Sequence, residues 1–499
     1  MNKIDRRLFL KRYGTVAAGA IVIPSISFAG MPQDEKTFTW PANPPENWPS
    51  YHLLHPDPKG GFFPGDPNPA IYYRGKYHLH YLYRAPEGGL AMAHVSSTDM
   101  IHWKWHPTVL RRRNTGCGSM LSGTAFFTKK GRPAIIFSDN HNVMIVFALD
   151  DKLDKWTKPE KIEVKGTKIG VWDPDCWLKG DTYYAISSTN GIRRINLIKS
   201  KDLKNWQYVG NLMHEDFPVN LGVTANDDVS CPNMFKIGNK WILLCISHTL
   251  GCRYYLGNFK DEKYLPESHH LMNWQDVALG NEGRSLGFYF APESMLTPDG
   301  RRVMWSWLFP DGDGTIPQGL QSLPRELELP EDGILRIKPL AELKTLRYDE
   351  RSESDILIKN VQNYMLKEMS GDTMEFEIVF KPLKDTHKLN PNIHIPRSFG
   401  IKVLCNENGK SGIPIMINPS KKTLSVGDVS APFEYMIDQE TVLRVFIDNS
   451  VIEAFVNDRQ AIAYAQRRTH RLTNNLLFSD QGNMPVKKVT AWKIKSPWN

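Results

Sequence analysis

Four acidic residues occupy the same position relative to a turn glycine in four segments of the sequence. Asp66, Asp173, Asp228 and Glu293 each lie seven to ten residues before such a glycine, and Ser122 takes this position in a fifth segment. Carboxyl groups that share one polar cavity resist simultaneous ionisation, which moves their pKa values apart and leaves one proton donor beside one anion. The set therefore predicts the two-carboxylate chemistry that cleaves glycosidic bonds.

Two of these aspartates also have a purely structural interpretation. Asp66 and Asp173 both precede proline, and Asp-Pro often starts a turn in which the carboxylate accepts hydrogen bonds from backbone N–H groups. For either residue alone the turn interpretation is favoured. Their shared position in a repeat favours a function, because equivalent residues of a repeat face the same cavity.

The segments that carry these residues are a repeat of predicted β-hairpins, with alternating aromatic and β-branched runs between turn residues. The turn glycines are 56, 49, 58 and 62 residues apart, namely Gly75, Gly131, Gly180, Gly238 and Gly300. This spacing suits one four-stranded sheet per repeat. We predict an all-β protein with a five-bladed β-propeller in residues 30–340 and a C-terminal β-sandwich in residues 350–499. A long β-sandwich with accidental regularity is the alternative.

The composition is that of a globular protein, with 499 residues, 41% hydrophobic and 23% charged. No apolar run reaches the roughly 18 residues that a membrane span needs. The formal net charge is +8. Residues 1–29 contain five basic residues and one acidic residue and so contribute half of it. The remaining excess of +4 does not indicate a nucleic-acid partner.

Residues 1–29 are predicted to be an export signal. The pair Arg6-Arg7 is followed by Leu-Phe-Leu-Lys, then by an apolar stretch over residues 16–23 and small residues around Ala29. This order is typical of a twin-arginine signal. An ordinary secretory signal with an accidental arginine pair is the alternative, and either one predicts a periplasmic or secreted protein.

Several motifs, taken together, resemble glycoside hydrolase family 32, which includes invertases, levanases and inulinases. The likeness covers nearly all of the chain after the signal, in the family's order. It is carried by residues 63–69, 77–81, 94–103, 121–125, 173–174, 231–232, 288–292, 322–327 and 443–457.

The resemblance implies a propeller that bears the active site, joined through residues 339–347 to a β-sandwich. It also implies retaining hydrolysis of β-fructofuranosides without a metal cofactor, acting on an oligo- or polysaccharide. Asp66 lies where the family has its nucleophile, and Asp173 where it has the aspartate that binds sugar hydroxyls and stabilises the transition state. Asn68, Ser122, Trp172 and Glu293 are the predicted substrate contacts.

Four positions depart from the family pattern, which has Asn, Gln, Arg and the acid/base Glu there. This chain has Gly65, Leu82, Trp172 and Ser230. These residues hold and protonate the substrate in the family. The sugar in the first subsite therefore need not be an ordinary fructosyl unit.

The missing acid leaves several candidates for the proton donor. Asp228 lies two residues before Ser230 and, in an extended strand, points to the same face. Glu293 and Asp227 are further candidates. Three functions remain open: a retaining hydrolase, a transglycosylase with the same first step, and a sugar-binding protein without activity.

The sequence predicts no metal or cofactor. His78 and His80 share one strand face, but the sequence shows no third ligand. The six cysteines are irregularly spaced without a Cys-x-x-Cys pair, which indicates neither a zinc site nor a dense disulfide framework. The run Asp311-Gly312-Asp313-Gly314 resembles a calcium loop without its later ligands, and a rim loop is favoured. The oligomeric state is not predicted.

Overall fold

The computed structural model describes residues 38–46, 48–56, 65–85, 88–187, 191–224, 227–248, 250–273, 289–308, 319–383, 395–465 and 471–498. The predicted export signal and the loop at residues 311–314 lie outside these residues. The described helices are short, at Arg112–Thr115, Ile192–Arg194 and Ala341–Leu346. None of them has the length and apolar character of a membrane span.

The first part of the chain forms five antiparallel sheets, one after another. The first sheet contains β1 (Ala70–Tyr73), β2 (Lys76–Arg84), β3 (Leu90–Ser97) and β4 (Lys104–Trp105). The second contains β5 (Leu121–Phe127), β6 (Pro133–Ser138), β7 (Val143–Phe147) and β8 (Glu160–Lys161). The third contains β9 (Asp175–Lys179), β10 (Thr182–Ile186), β11 (Asn196–Ser200) and β12 (Trp206–Asn211).

The fourth sheet contains β13 (Ser230–Ile237), β14 (Lys240–Ser247), β15 (Gly251–Lys260) and β16 (Lys263–Leu271). The fifth contains β17 (Tyr289–Leu296), β18 (Arg302–Leu308), β19 (Leu320–Gln321), β20 (Arg325–Glu328) and β21 (Arg336–Pro339). Each predicted turn glycine lies between the first two strands of its sheet with positive φ, which a residue without Cβ adopts at little cost.

The first strands of the five sheets form a closed ring. Each of β1, β5, β9 and β13 contacts the next first strand, and β17 contacts β1. In a β-propeller such strands surround a central channel. Residues that precede or begin these strands, far apart in sequence, are therefore brought together at the channel.

The second part of the chain is a sandwich of two six-stranded sheets. One contains β22 (Arg347–Ile358), β24 (Thr373–Phe380), β29 (Thr441–Asp448), β30 (Val451–Val456), β31 (Gln460–Ala465) and β33 (Met484–Ile494). The other contains β23 (Tyr364–Met365), β25 (Ser398–Cys405), β26 (Ile413–Asn418), β27 (Thr423–Val426), β28 (Val429–Pro432) and β32 (Asn474–Asp480). The predicted propeller followed by a sandwich is thus confirmed, while the domain boundaries stay predictions.

The hairpin of β29 and β30 is buried on both faces, which explains its nearly continuous apolar sequence. Val445 and Ile447 lie in the core between the two sandwich sheets. Phe446 and Phe455 lie in the core that the sandwich shares with the propeller, where Leu323 also packs. Strand alternation therefore supplies one face to each core.

Two buried carboxylates of this hairpin hold other parts of the chain against the sandwich. Asp448 accepts hydrogen bonds from the backbone N–H groups of residues 50–52 and from His52 Nδ1 at 2.7 Å. Glu453 accepts from Leu323 N–H at 2.6 Å and from Arg325 Nη2 at 2.7 Å, and lies 3.4 Å from His52 Nε2. Removing one partner of such a buried pair costs about 3–5 kcal/mol because the other charge stays buried.

The pKa of His52 makes this interface sensitive to alkaline pH. Burial alone would lower the pKa, but the interactions of the ring with the Asp448 and Glu453 carboxylates raise it to about 9. A raised folded-state pKa gives stability that is present below the unfolded value of about 6.5 and lost as pH rises through about 9. We therefore expect His52→Gln to lower the unfolding temperature at pH 7 and to flatten its decline between pH 7 and pH 10.

Calorimetry of the two proteins across this pH range measures the effect. His102→Gln is the matched control, because His102 is half-exposed beside Asp99 on the protein surface. An equal decline with pH in the unmodified protein and His52→Gln would contradict the role assigned to His52.

Candidate active site

Asp66 lies immediately before β1 and is fixed by its backbone. Gly65 N–H donates to Leu82 O at 2.5 Å and Leu82 N–H donates to Asp66 O at 3.0 Å. Gln321 Nε2, from the fifth sheet, donates to Gly65 O at 2.8 Å. Ser122 Oγ donates a short hydrogen bond to Asp66 Oδ2. The first, second and fifth sheets thus orient one half-buried carboxyl group.

Asp173 is brought to the same place by Cys231. The backbone N–H of Cys231 donates to Asp173 Oδ2 at 3.3 Å, and Cys231 Sγ lies 3.9 Å from Asp66 Oδ2. Asp173 has φ 45° and Cys231 has φ 46°, a region that only a few per cent of non-glycine residues adopt. Strained backbone of this kind is frequent at functional sites. The two aspartates predicted to catalyse are therefore adjacent.

Three of the first strands, β5, β13 and β17, contain a shift in pairing register near their start. The pairing register shifts between Leu121 and Gly123 in β5, between Ser230 and Asn233 in β13, and between Phe290 and Glu293 in β17. A bulge changes the direction of the side chains next to it and is common beside active sites. The bulged strands carry Ser122 and Glu293 and follow Asp228, whereas β1 and β9, which follow Asp66 and Asp173, pair in regular register.

The Asp66 carboxyl group is unusually basic. Burial and the charge of Asp173 raise its pKa to about 7, although the hydrogen bond from Ser122 acts in the opposite direction. Near neutral pH this group therefore exists in both its protonated and its ionised form. Ser122, predicted to contact substrate, holds Asp66 in place.

Asp228 lies at the start of the fourth sheet, close to the position of the missing acid. Its Oδ2 lies 3.3 Å from Ser230 Oγ and 2.6 Å from His248 Nδ1. Its Oδ1 accepts hydrogen bonds from His248 N–H at 2.9 Å and from Ser247 Oγ at 3.1 Å. Burial alone would raise the pKa of Asp228, but the hydrogen bonds and charge of His248 lower it to about 2. Asp228 is therefore an anion near neutral pH, and His248 Nδ1 lies against it.

Glu293 is almost completely buried, 1% exposed, between the first, fourth and fifth sheets. Its carboxyl group accepts hydrogen bonds from Ala70 N–H at 2.9 Å and Asn233 Nδ2 at 2.9 Å. Burial raises the pKa of Glu293 to about 8. Glu293 also lines a small cavity together with Asn68 and Asp173.

The other predicted contacts differ in their surroundings. Asn68 is buried, and its Oδ1 has no hydrogen-bond partner within the described ranges. Trp172, next to Asp173 in the chain, is half-buried. That Asn68 and Trp172 contact substrate stays a prediction.

Sequence reasoning missed two groups. His248 follows the end of β14, twenty positions after Asp228, and carries no local motif. Asp175 accepts from Thr124 Oγ1 at 2.8 Å and Met234 N–H at 2.6 Å, and burial raises its pKa to about 6. Asp175 follows Asp173 by two residues, and this spacing was the available signal. The charge of half-buried Arg302 acts on both Asp175 and Glu293.

Comparison with known proteins agrees with this architecture. The family model described as Glycosyl hydrolases family 32 N-terminal domain matches residues 55–339, and the model described as Glycosyl hydrolases family 32 C terminal matches residues 342–493. Levanase of Bacillus subtilis (strain 168) is 25% identical over 512 residues, covering 90% of this chain and 71% of levanase. Raffinose invertase of Escherichia coli is 24% identical over 490 residues, covering 89% of this chain and 95% of the invertase.

A solved structure has the same fold. Fructan 1-exohydrolase IIa from Cichorium intybus aligns with a TM-score of 0.72 and 19% identity, over 90% of this chain and 98% of that chain. A propeller with adjacent aspartates at its channel, followed by a sandwich, defines a glycoside hydrolase of the β-fructosidase type. More narrowly, both matched domains place the chain in one family: it belongs to the glycosyl hydrolases family 32.

The raised pKa of Asp66 predicts that the ionised Asp66 carboxylate destabilises the folded state. Because the pKa of Asp66 is about 7 in the folded state and the ordinary value of an aspartate is 3.8, the folded state binds more protons in this interval and stability falls as pH rises. We expect Asp66→Asn to unfold at the same temperature as the unmodified protein near pH 4 and at a higher temperature at pH 8.

Asp228→Asn is the matched control with the opposite sign. The pKa of Asp228 is lowered to about 2, so its carboxylate stabilises the fold above the unfolded value and the variant should unfold earlier at pH 8. Scanning calorimetry at both pH values measures both variants. A lower unfolding temperature of Asp66→Asn at pH 8 would contradict the assigned pKa.

Proposed function

We propose that this chain is an exported, retaining hydrolase of β-fructofuranosides that acts on fructans or on oligosaccharides containing fructose. The proposal depends on one observation: Cys231 contacts both Asp66 and Asp173, which brings the two aspartates together at the propeller channel. Family membership supports it, as do the names of its relatives, a levanase, a raffinose invertase and a fructan exohydrolase.

In the proposed reaction Asp66 is the nucleophile. Ser122 and Cys231 both approach its Oδ2, which leaves Oδ1 to attack the anomeric carbon. The bond to the leaving oxygen breaks as the bond to Asp66 forms, and water later releases the sugar from the glycosyl-enzyme. Asp173 stabilises the positive charge that develops on the sugar ring. Because the nucleophile must be ionised, activity increases as pH rises through about 7.

We assign the proton donor to the pair of Asp228 and His248. Asp228 lies 3.3 Å from the hydroxyl of Ser230, where the family has its acid, so the pair occupies this side of the site. Since Asp228 is ionised, we assign the transfer of the proton to the leaving oxygen to His248, whose ring Asp228 orients through Nδ1. In the second step, the water molecule that attacks the glycosyl-enzyme gives a proton back to the same pair.

Glu293 is the second candidate for the acid, because its raised pKa keeps it protonated near neutral pH. Both of its oxygens already accept hydrogen bonds from Ala70 N–H and Asn233, and it is 1% exposed. These contacts fit a group that closes the propeller better than one that moves a proton to substrate.

Export through the twin-arginine route is part of the proposal. It is supported by Arg6-Arg7 and the apolar stretch that follows them. A protein exported this way folds before it crosses the membrane.

Substrates with different leaving groups distinguish between the candidate acid residues. A reducing-sugar screen across fructans, sucrose and other furanosides first identifies a substrate. On that substrate we expect Asp228→Asn and His248→Gln each to lose about 10²-fold or more in kcat/KM. Both variants should still form the glycosyl-enzyme from an aryl fructofuranoside whose leaving group needs no proton, seen as a burst of released aryl alcohol. Asp66→Asn should be inactive on both substrates.

Glu293→Gln is the discriminating control. Loss on the unactivated substrate alone, confined to Glu293→Gln, would transfer the acid role to Glu293. Release of no sugar from any furanoside by the unmodified protein would favour the sugar-binding function instead.

A further inference from the structure

Four buried histidine rings stack on one another in the first sheet, away from the aspartates at the channel. His78 and His80 come from β2, His94 from β3, and His106 follows β4; each is at most 8% exposed. The ring centroids of His94 lie 4.1 Å from His106, 4.5 Å from His80 and 5.2 Å from His78. Imidazole nitrogens are the commonest metal ligands in proteins.

A carboxylate from the second sheet completes the group. Asp154 lies between β7 and β8, and its Oδ1 is 2.8 Å from His106 Nδ1 and 3.3 Å from His94 Nδ1. One ligand atom from each of these three residues lies within 4.8 Å of the others. The Asp154 side chain is 22% exposed, which gives an ion a path from solvent.

The outer nitrogens of the two rings are held by other side chains. His94 Nε2 lies 2.9 Å from His78 Nδ1, and His106 Nε2 lies 2.7 Å from Ser96 Oγ. Histidines that bind metals are oriented in this way, with the second nitrogen fixed by a hydrogen bond. The inner nitrogens therefore point to the carboxylate. His94 Nδ1 is buried and has no hydrogen-bond partner among the described residues, so this nitrogen is available to a metal ion.

We propose that His94 Nδ1, His106 Nδ1 and the Asp154 carboxylate bind one zinc ion. In a tetrahedral site with metal-to-ligand distances of about 2.0–2.1 Å, ligand atoms lie roughly 3.3 Å apart. The two nitrogen-to-oxygen separations, 2.8 and 3.3 Å, are close to this value, and the three ligand atoms all lie within 4.8 Å of one another. Two imidazoles and one carboxylate favour zinc over calcium or magnesium, which prefer oxygen ligands.

The ion would join the first two sheets of the propeller. His94 and His106 belong to the first sheet and its outer edge, whereas Asp154 belongs to the loop inside the second sheet. A metal that binds the folded state alone stabilises it according to its affinity. The site takes no part in sugar cleavage, so it is independent of the proposed function.

Titration of the untagged full-length protein tests the proposal. After chelation and dialysis, cobalt(II) should bind with one equivalent and give the visible absorption of a four-coordinate ion, and zinc should displace it. Zinc should also raise the unfolding temperature. Asp154→Asn and His106→Gln should each weaken zinc binding about tenfold or more.

His102→Gln is the matched control, since His102 and Asp99 form an exposed histidine and carboxylate pair with a separation of 2.7 Å. It should bind zinc as the unmodified protein does. Circular dichroism verifies that each variant is folded. If Asp154→Asn is not folded, His106→Gln alone tests the zinc site. Binding weaker than millimolar by the unmodified protein, or equal binding by folded His106→Gln, would overturn the assignment.

Discussion

The hydrogen bond from Ala70 N–H to the Glu293 carboxyl group joins the first and last sheets of the propeller, and the active site depends on this closure. The two residues are 223 positions apart in the chain, and the bond length is 2.9 Å. Asn233 of the fourth sheet donates to the same carboxyl group. Because Asp66 lies four residues before Ala70, the ring that Glu293 closes also fixes the position of Asp66 relative to Asp173.

Closure places several carboxyl groups in a small volume, and their pKa values show how the fold tolerates them. Burial raises the pKa of Asp66 to about 7, of Asp175 to about 6 and of Glu293 to about 8. These groups therefore retain protons that exposed carboxyl groups would release, and the half-buried Arg302 offsets part of the remaining charge. Asp228 has the opposite behaviour, because His248 neutralises it locally. The site thus contains a carboxyl group of raised pKa, Asp66, and an ionised carboxylate, Asp228, that is paired with a histidine.

The sequence predicted much of the fold because a propeller repeats its turns. Each of the five turn glycines closes the hairpin that its spacing indicated, and the apolar hairpin near the C-terminus lies where the resemblance implied. Asp66 and Asp173 were identified by their position in the repeat and lie together. Local pattern was sufficient in these cases because every residue involved sits near a turn.

The remaining features depend on contacts between distant segments. His248 reaches Asp228 from the far end of β14, and Asp154 reaches His106 from another sheet, so neither pair leaves a spacing signal. The bulges in β5, β13 and β17 change side-chain direction without a distinctive residue type. The equivalent positions of the acidic residues consequently concealed different surroundings: Glu293 is buried in hydrogen bonds that close the ring, whereas Asp228 is paired with a histidine.

Direct capture of the glycosyl-enzyme tests the central claim, that Asp66 attacks the sugar while Asp228 and His248 supply and recover the proton. In His248→Gln the first step on an activated aryl fructofuranoside proceeds, but the water that completes the reaction lacks its base. The intact mass should therefore increase by one anhydrofructosyl unit after a rapid acid quench, and peptide mapping should locate the unit on Asp66. An unmodified mass during turnover, or a sugar attached to a peptide without Asp66, would contradict the account.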